Sequence, residues 1–325
     1  MKLVAVVGAT ATGKSRLGLA LAEAVNGEVI ACDSTAVYRG LDIGTDKLPI
    51  AEQRGVPHHL VDVADPTEVY SAARYAADVA ETARDICDRG RVPILVGGTG
   101  LYYRAVVRGL FPGPARDDRL RARLDRVADR RGVEALYRWL ARVDEPSARR
   151  IQPRDRKRLV RALEVYLLTG RPLTDHFQAT APPIPDLEVL TFGLETSRAE
   201  AAARIARRVD EQFARGVVDE VRRLIASGVP PTAHAFSGLV YRQVIELLQG
   251  VRSDVETRAL IVRENLRYTR RQVTWFRKEP GVHWLDGTDP SAGDATAIAA
   301  ARRFLAASSE EQDAPPLLAA APRGR

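Results

Sequence analysis

A phosphate-binding pattern between an apolar run and a helical pattern constrains the fold of this chain more than any other feature. Residues 8–15, GATATGKS, fit G-x-x-x-x-G-K-[ST]. They follow the apolar residues 3–7 and open a segment with leucines at helical spacing. Such a turn points backbone N–H groups, a lysine and a helix N-terminus at phosphate oxygens. This context predicts a site for a di- or triphosphate rather than a glycine-rich turn without a ligand. The residues assigned to it are Gly8, Ala9, Thr10, Ala11, Thr12, Gly13, Lys14 and Ser15.

Short apolar runs alternate with helical patterns through the first third of the chain. We predict strands at residues 3–7, 28–32 and 92–96, separated by helices at 14–25 and 74–89. The run at 92–96 is apolar throughout, as in a strand buried on both faces of a sheet. Strands separated by helices favour a parallel sheet with right-handed crossovers.

The rest of the chain is predicted to be mostly helical. Charged, leucine-spaced segments follow residue 114, a strand is predicted at 187–194, and helical patterns return at 198–227 and 255–277. The last residues have a composition typical of disorder. We therefore predict an α/β fold, with a P-loop NTPase-like parallel sheet core flanked by helices and an all-helical insertion domain. The expected boundaries are 1–113 and 190–285 for the core, 114–189 for the basic insertion, and 286–325 for a flexible tail.

Arginine dominates the charge of the chain, and the charge is unevenly distributed. There are 49 basic and 42 acidic residues, a net charge of +7, and only five of the basic residues are lysines. The total alone fits either a GC-rich genome or a polyanionic partner, since a guanidinium pairs bidentately with phosphate. Residues 1–113 have a net charge of −1, however, and residues 114–180 a net charge of +7. Codon usage would not segregate net charge, so the helical segment is the predicted polyanion-binding part.

Composition excludes several other classes of protein. Apolar residues at 45% with 28% charged residues are typical of a soluble globular protein. No apolar run approaches the ~18 residues of a membrane span, and no signal peptide is recognised, so we expect a cytoplasmic location and no membrane partner. Cys32 and Cys87 lack metal-type spacing, as expected in a reducing compartment. His58 and His59 have no third ligand nearby in sequence and are expected to lie in a loop.

A candidate acid–base group follows the second predicted strand. Asp33 lies at the carboxyl end of that strand, and such ends face the ligand crevice of a parallel sheet. A carboxylate there is well placed to act as a general base. A turn or cap aspartate is the alternative, because Asp-Ser is a good capping pair. The third strand ends in VGGTG, without the acidic Mg²⁺ ligand expected of a phosphoryl-transfer enzyme.

Six blocks of sequence together resemble one family, the tRNA dimethylallyltransferases, also called tRNA isopentenyltransferases. The blocks are GATATGKS at 8–15, DSTAVYRGLDIGTDK at 33–47, PHHLVDV at 57–63, PILVGGTGLY at 93–102, RLVRALEVYLLTGR at 158–171 and RRQVTWFRK at 270–278. The resemblance extends from residue 1 to about residue 285. DIGT and VGGTGLY behind a P-loop are not a pattern of generic nucleotide kinases.

This resemblance implies transfer of a dimethylallyl group from dimethylallyl diphosphate to N6 of the adenosine 3′ of the anticodon (position 37), in tRNAs that read codons beginning with U. The products are N6-isopentenyladenosine and diphosphate. Asp33 matches the family's general base and Arg208 its diphosphate-binding arginine, while Thr10 lies beside the substrate. Lys14, the P-loop amides and Mg²⁺ on Ser15 would stabilise the departing diphosphate. The implied catalytic residues are Asp33, Lys14, Thr10 and Arg208, with Mg²⁺ as the cofactor.

The resemblance also implies contacts with the anticodon stem-loop of tRNA, made by a monomer. The target adenine has to leave its stack, so a pocket for a flipped base is expected. The residues assigned to tRNA are Asp33, Ser34, Thr35, Ala36, Thr99, Arg121, Lys157, Arg158, Leu159, Val160, Arg161, Ser237, Gly238, Tyr241 and Arg242. Two sets of arginines at helical spacing predict phosphate contacts, with a solvated charged face as the alternative. They are Arg154, Arg158 and Arg161, and Arg263, Arg267, Arg270 and Arg277.

The sequence departs from the family pattern at two positions. Ala36 stands where the family commonly has glutamine, which removes a polar contact expected with the flipped base. Val240 stands where the family has glycine before Tyr241. Because valine does not readily adopt a positive φ, the loop is expected to be altered if it needs that conformation.

Two other functions compete with this one at the level of sequence. A P-loop small-molecule kinase would share residues 8–15, and a non-catalytic RNA-binding protein would share the basic insertion. ATP turnover without prenyl transfer would favour the kinase. Indifference to the loss of Asp33 would favour a protein that only binds RNA.

Overall fold

A six-stranded, wholly parallel sheet organises the larger of the two units into which the chain divides. The computed structural model describes residues 1–288 and 290–307. Of the described residues, 1–107, 184–288 and 290–307 form the larger unit, and 108–183 form the smaller. The strands are β1 (Lys2–Gly8), β2 (Gly27–Cys32), β3 (His58–His59), β4 (Val92–Gly97), β5 (Glu188–Glu195) and β6 (Val282–Asp286). Their order across the sheet is β3-β2-β4-β1-β5-β6.

Helices cover both faces of this sheet and make up most of the smaller unit. In the larger unit they begin with α1 (Lys14–Val25), α2 (Ala72–Asp88) and α3 (Gly100–Val107). The smaller unit contains α4 (Asp118–Arg131), α5 (Val133–Val143), α6 (Glu145–Arg150), α7 (Arg156–Thr169) and α8 (Leu173–His176). The larger unit resumes with α9 (Arg198–Ala214), α10 (Val217–Ala226), α11 (Tyr241–Leu248), α12 (Asp254–Phe276) and α13 (Pro290–Ala306). No helix in the described ranges is both long and apolar enough to cross a membrane.

Strand β1 lies in the middle of the sheet because both of its faces are apolar. Leu3, Ala5 and Val7 pack into the core on one face of the sheet, and Val4 and Val6 pack against α1 and α13 on the other. All five side chains are fully buried. The alternation of these side chains between the two faces follows the two-residue period of a strand. Burial of each leucine or valine side chain stabilises the fold by about 1.5–3 kcal/mol.

The predicted parallel sheet is confirmed, and three of the observed elements differ from the prediction. Strand β6, a five-residue edge strand that pairs with β5, was not predicted. His58 and His59 were expected in a loop, but they form β3 and pair with Val29 and Ile30. The segment predicted as one helix at 198–227 forms two helices. Gly216, the N-cap residue before α10, has a left-handed backbone conformation with φ 90°, which interrupts the helix.

The prediction of a flexible tail beginning at residue 286 is wrong for its first part. Helix α13 packs against α1 through Ala297, Ala300, Ala301 and Phe304, which recur at helical spacing. The alanines that suggested disorder therefore permit two helices to approach closely. Residues 308–325, the remainder of the predicted tail, lie outside the described residues.

The smaller unit is all-helical, as predicted, and spans 108–183 where 114–189 was expected. Its core contains leucines from three helices, namely Leu124, Leu136, Leu140, Leu159 and Leu163. Aspartate side chains cap three of its helices at their N-termini, where free N–H groups need acceptors. These are Asp117 for α4, Asp144 for α6 and Asp155 for α7.

A buried carboxylate joins two helices of the smaller unit. Glu164 of α7 is fully buried and accepts two hydrogen bonds of 2.8 Å from the guanidinium of Arg121 on α4. It also accepts from Arg161 at 2.6 Å and from the backbone N–H of Asp117 at 2.9 Å. Burial alone would raise the pKa of Glu164, but the hydrogen bonds from Arg121 and Arg161 lower it to about 2. Both arginines are therefore neutralised inside the unit.

We expect Glu164→Gln to lower the free energy of unfolding by roughly 2–4 kcal/mol, because it leaves two guanidinium groups without a counter-charge. Since the pKa of Glu164 is depressed on folding, its contribution is present above its unfolded value of about 4.3 and is lost as pH falls towards 2. Urea denaturation of the full chain at pH 7 and at pH 3 measures both effects. Glu145→Gln, which breaks an exposed ion pair with Arg149, is the matched control and should cost less than about 1 kcal/mol. Equal losses in the two variants would contradict this account.

Candidate active site

The loop between β1 and α1 presents free backbone donors at the carboxyl edge of the sheet. Gly8 has φ 145°, and a Cβ there would lie 2.7 Å from the carbonyl oxygen of Leu194, so only glycine fits. Gly13 at φ 91° begins α1 and provides no side-chain cap. The first N–H groups of α1 are therefore available to an anion, as the sequence pattern predicts.

A glutamine of α12 holds this loop in place. The Gln272 Oε1 atom accepts hydrogen bonds from the backbone N–H of Thr10 at 2.9 Å and from its hydroxyl at 3.1 Å. Its Nε2 atom donates to the carbonyl of Gly98 at 2.9 Å. A Cβ on Gly98 would lie 2.4 Å from Nε2, so glycine is required for this approach. One buried side chain thus connects the segments that follow β1 and β4.

Lys14 and Arg208 are two of the basic residues that line a cavity at this loop. The Lys14 ammonium donates to the carbonyl of Ala9, and Arg208 of α9 forms an ion pair with Asp46. Desolvation and the charge of Arg208 lower the pKa of Lys14 to about 8, although Asp33 acts in the opposite direction. Desolvation also lowers the pKa of Arg208. Two cations held close together and partly out of water are suited to a polyvalent anion such as a diphosphate.

Asp33 lies at the border between two cavities. The first, about 780 Å³, is lined by Asp33, Lys14, Ser15 and Arg208, and we call it the phosphate cavity. The second, about 510 Å³, lies beside it and is also lined by Asp33 and Arg208; we call it the base cavity. Its other lining residues include Thr10, Ser34, Thr35, His234, Asn265, Tyr268 and Arg271. Asp33 is therefore accessible to ligands in both.

The two oxygens of Asp33 have different surroundings. Oδ1 accepts hydrogen bonds from the backbone N–H and hydroxyl of Thr35, at 2.8 and 2.6 Å, and from the N–H of Ala36 at 3.2 Å. Oδ2 accepts none from the part of the chain that the structure describes. The turn-aspartate interpretation and the general-base interpretation are thus compatible. One oxygen fixes the carboxylate while the other is free to accept a proton.

A tyrosine of α12, Tyr268, lines the base cavity together with Asp33. Burial, and secondarily the charge of Asp33, raise the pKa of Tyr268 to about 12. Its hydroxyl therefore stays protonated at neutral pH and is able to donate a hydrogen bond. Asn265, Tyr268 and Gln272 recur on one face of α12, and this polar spacing is the signal by which the sequence could have identified them.

Comparison with known proteins places this geometry in a family. A family model described as IPP transferase matches residues 36–279. The chain belongs to the IPP transferase family. It is 47% identical over 293 residues to a tRNA dimethylallyltransferase of Symbiobacterium thermophilum, covering 90% of this chain and 91% of that one. It is 46% identical over 290 residues to one of Thermomicrobium roseum, covering 89% and 87%.

Solved structures agree with this assignment to the IPP transferase family. A tRNA isopentenylpyrophosphate transferase of Bacillus halodurans is 36% identical, with a TM-score of 0.68, covering 94% of this chain and 95% of that one. A eukaryotic dimethylallyltransferase captured acting on tRNA is 26% identical, with a TM-score of 0.79, covering 99% and 82%. The family and the fold implied by the sequence blocks are therefore confirmed, and with them the assignment as an enzyme.

The structure brings most of the RNA-contact residues predicted in the larger unit to the base cavity. Ser34, Thr35, Ser237, Gly238 and Arg242 line it. Thr99 accepts a hydrogen bond of 3.1 Å from the N–H of Ser34 and so orients that segment. Ala36 instead lines the phosphate cavity, so a polar side chain at 36 would not face the base cavity in this arrangement.

Tyr241 is a correction to the predicted contacts. Its side chain is fully buried, and its hydroxyl donates to Glu220 at 2.8 Å. The same Glu220 carboxylate accepts from the backbone N–H groups of Asp42, Ile43 and Gly44 at 2.9, 2.7 and 3.2 Å. Tyr241 therefore supports the DIGT turn through Glu220, and its side chain is not available to RNA.

Val240 adopts the backbone conformation that glycine would favour. Its φ of 79° and ψ of −63° lie in the γ-turn region, which is strained for a β-branched residue. Its side chain is buried, and it lines the base cavity. The valine therefore adopts a positive φ in this loop, at a conformational cost of about 1–3 kcal/mol.

The contacts predicted in the smaller unit divide into three groups. Leu159 and Val160 are buried in its core, so their side chains are not available to RNA, and these two predictions are corrected. Arg121 and Arg161 are bound to Glu164, as described above. Lys157 and Arg158 are exposed and stay as candidate RNA contacts, with Arg158 lying 3.4 Å from Asp155.

We expect affinity for inorganic diphosphate to fall as pH rises through about 8. The Lys14 ammonium has to be protonated to attract the anion, and its pKa is lowered to about 8. Calorimetric titration between about pH 7 and pH 9 should show a loss approaching tenfold per pH unit above 8. Lys14→Ala controls for ionisation of diphosphate itself. If the affinity of the wild type for diphosphate changed with pH in the same way as that of Lys14→Ala, the loss of affinity would not come from Lys14.

Gln272→Ala is expected to weaken diphosphate binding by about tenfold, because Thr10 and Gly98 lose their common partner and the loop is less ordered. Gln249→Ala, at an exposed position, is the matched control. Calorimetry with inorganic diphosphate measures both variants, and thermal denaturation checks that they fold. Unchanged affinity in Gln272→Ala would show that the loop is held by other contacts.

Proposed function

We propose that this IPP transferase transfers a dimethylallyl group from dimethylallyl diphosphate to N6 of the adenosine on the 3′ side of the anticodon of tRNAs reading codons that begin with U. One observation carries the proposal. Asp33, with a free carboxylate oxygen, stands between a cavity built for an anion and a second cavity lined by polar and aromatic side chains. The reaction requires a base at the boundary between a diphosphate and an amine, and Asp33 lies at such a boundary.

The phosphate cavity suits the leaving diphosphate. The N–H groups that begin α1, the Lys14 ammonium and the Arg208 guanidinium all supply positive charge to it. As the allylic C–O bond breaks, negative charge accumulates on the diphosphate, and these fixed groups stabilise it without reorganisation. No phosphoryl acceptor is needed, which accounts for the absence of an acidic residue directly after β4.

The donor set of the phosphate cavity fits a magnesium ion held mainly by substrate. Mg²⁺ usually keeps several waters and binds one or two protein ligands together with phosphate oxygens. Ser15 lines this cavity beside Lys14. Within residues 1–288 and 290–307 no cluster of three or more His, Cys, Asp or Glu forms a metal site held by protein alone. Ser15 would be the protein ligand, and bound Mg²⁺ would neutralise charge on the departing diphosphate.

The base cavity suits the flipped adenine. An exocyclic amine is a weak nucleophile, so its proton has to leave as the new C–N bond forms. Asp33 Oδ2 takes that proton while the electron pair of the C–O bond departs with the diphosphate. Thr35 and Ala36 hold the other carboxylate oxygen, and Tyr268 and Asn265 supply polar groups for the ring edges. A volume of about 510 Å³ falls within the ordinary range for ligand pockets.

The remaining partners follow from the same arrangement. Lys157 and Arg158 of the smaller unit are proposed contacts to the anticodon stem-loop. The monomer implied by the sequence resemblance is the proposed state of the enzyme. Cys32 and Cys87 are both free thiols, which suits the cytoplasm.

Asp33→Asn tests the general base. The amide keeps an oxygen for the turn but loses basicity, so transfer should fall by about 10²–10⁴-fold while tRNA binding is retained. Incubation with labelled dimethylallyl diphosphate and an unmodified tRNA transcript measures incorporation, and filter binding measures affinity. Asp65→Asn is the matched control, because Asp65 accepts from the N–H and hydroxyl of Thr67 at 2.9 and 2.6 Å, as Asp33 does from Thr35.

Three outcomes would contradict the proposal. Equal activity in Asp33→Asn and wild type would remove Asp33 from the chemistry. Binding of tRNA without incorporation of label by the wild type would favour an RNA-binding protein. ATP turnover without incorporation would favour a kinase.

A further inference from the structure

Helix α4 of the smaller unit has four arginines on one face that the proposed chemistry does not use. Arg119, Arg123, Arg126 and Arg130 are separated by four, three and four residues. At about 100° per residue they lie within an arc of roughly 60°, along about 16 Å of the helix. All four are exposed. We call them the α4 arginine strip.

Within the described part of the chain, none of the four has an acidic partner. Several other arginines of the unit do have one. Arg121 and Arg161 pair with Glu164, Arg154 with Glu134, Arg156 with Asp125 and Asp129, and Arg158 with Asp155. These arginines are neutralised locally, whereas the four of the strip form an exposed row on one helix face without such neutralisation.

The acidic residues of α4 lie on a different side of the helix. Asp125 and Asp129 are about 100° away from the strip and bind Arg156 at 2.6 and 2.7 Å. Leu124 and Ala128 lie on the opposite side and are buried in the core of the unit. The strip is thus fixed towards solvent by the packing of the helix, and the acids that could neutralise it are occupied elsewhere.

We propose that the α4 arginine strip binds the sugar–phosphate backbone of a helical stem of the tRNA. Guanidinium groups pair bidentately with phosphate, and a regular row of them on a rigid helix matches the regular charge of a nucleic-acid strand. Such contacts position the RNA and do not read its sequence. The choice of RNA as the partner rests on the proposed function. The strip adds to the proposed contacts of Lys157 and Arg158, and it takes the place of Arg154 and Arg161, which the sequence suggested but which pair with Glu134 and Glu164.

The double variant Arg123→Gln/Arg126→Gln of the full chain tests this surface. Binding of an unmodified tRNA transcript is measured by fluorescence anisotropy between about 50 and 200 mM salt. Loss of two phosphate contacts should weaken binding by at least about tenfold at 0.1 M salt and reduce the slope of log K against log [salt] by about 2. The loss should be the same for tRNAs of different sequence.

Arg149→Gln/Arg222→Gln is the matched control. Both arginines are exposed and each pairs with a carboxylate on its own helix, at 2.6 and 2.7 Å, so the net charge changes equally without removing an unpaired cation. Affinity and slope should stay near wild type in this control. Thermal denaturation checks that both proteins fold, and Arg123→Gln alone provides the same test with half the slope change.

Several results would overturn the inference. Wild-type affinity and slope in Arg123→Gln/Arg126→Gln would do so, and so would an equal loss in the control, because binding would then depend on total charge alone. Binding of polyglutamate with the same sensitivity to the variant would point to an acidic protein instead. The assay reads binding independently of transfer, so a wild type that binds through the strip but transfers no label contradicts only the proposed function.

Discussion

The pairing of β1 with β4 on one side and β5 on the other is the constraint on which the site depends. It brings the carboxyl ends of the central strands to one edge, so that the phosphate loop after β1, Asp33 after β2 and Thr99 after β4 lie close together. The approach of Gly8 to the carbonyl of Leu194 exists only because β5 lies beside β1. Gln272 of α12 then connects the loop to Gly98. The cavities are a consequence of this order of strands, since neither could form if β1 were at an edge.

Much of this could be predicted from the sequence because the decisive signals were local. The phosphate loop has a fixed spacing, and the strands at its centre are apolar on both faces, so their positions were clear. The edge strands β3 and β6 were missed because a short edge strand has no such pattern. Helix α13 was missed because the same alanines suit a solvated tail and a close helix–helix contact. Whether these alanines are solvated or packed depends on the surface that α1 offers to them, which lies far away in the sequence.

The residues assigned to the site also divide into those that the sequence predicts correctly and those that it does not. Asp33, Lys14 and the lining residues Ser34 and Thr35 follow from their place after particular strands. Tyr241, Leu159 and Val160 show the limit, because similarity over a block does not tell which of its side chains point inward. The arginines of the smaller unit show the same limit of prediction from sequence. Spacing alone cannot separate an arginine held by a buried glutamate, such as Arg121, from one that lacks a partner, such as Arg123, because the glutamate comes from another helix.

The turn at Asp33 is an ordinary one. Asp33, Asp65 and Asp286 each accept from the N–H and hydroxyl of a threonine two residues later, with nearly identical distances. Asp33 accepts in addition from the N–H of Ala36 at 3.2 Å, but the two threonine contacts that define the turn are common to all three. Within the described residues this motif occurs three times, so the role proposed for Asp33 depends on the residues around the turn and not on the turn itself. Reactivity of this kind can be acquired without redesigning the local backbone, and it can be lost by changes in residues far from the aspartate in sequence.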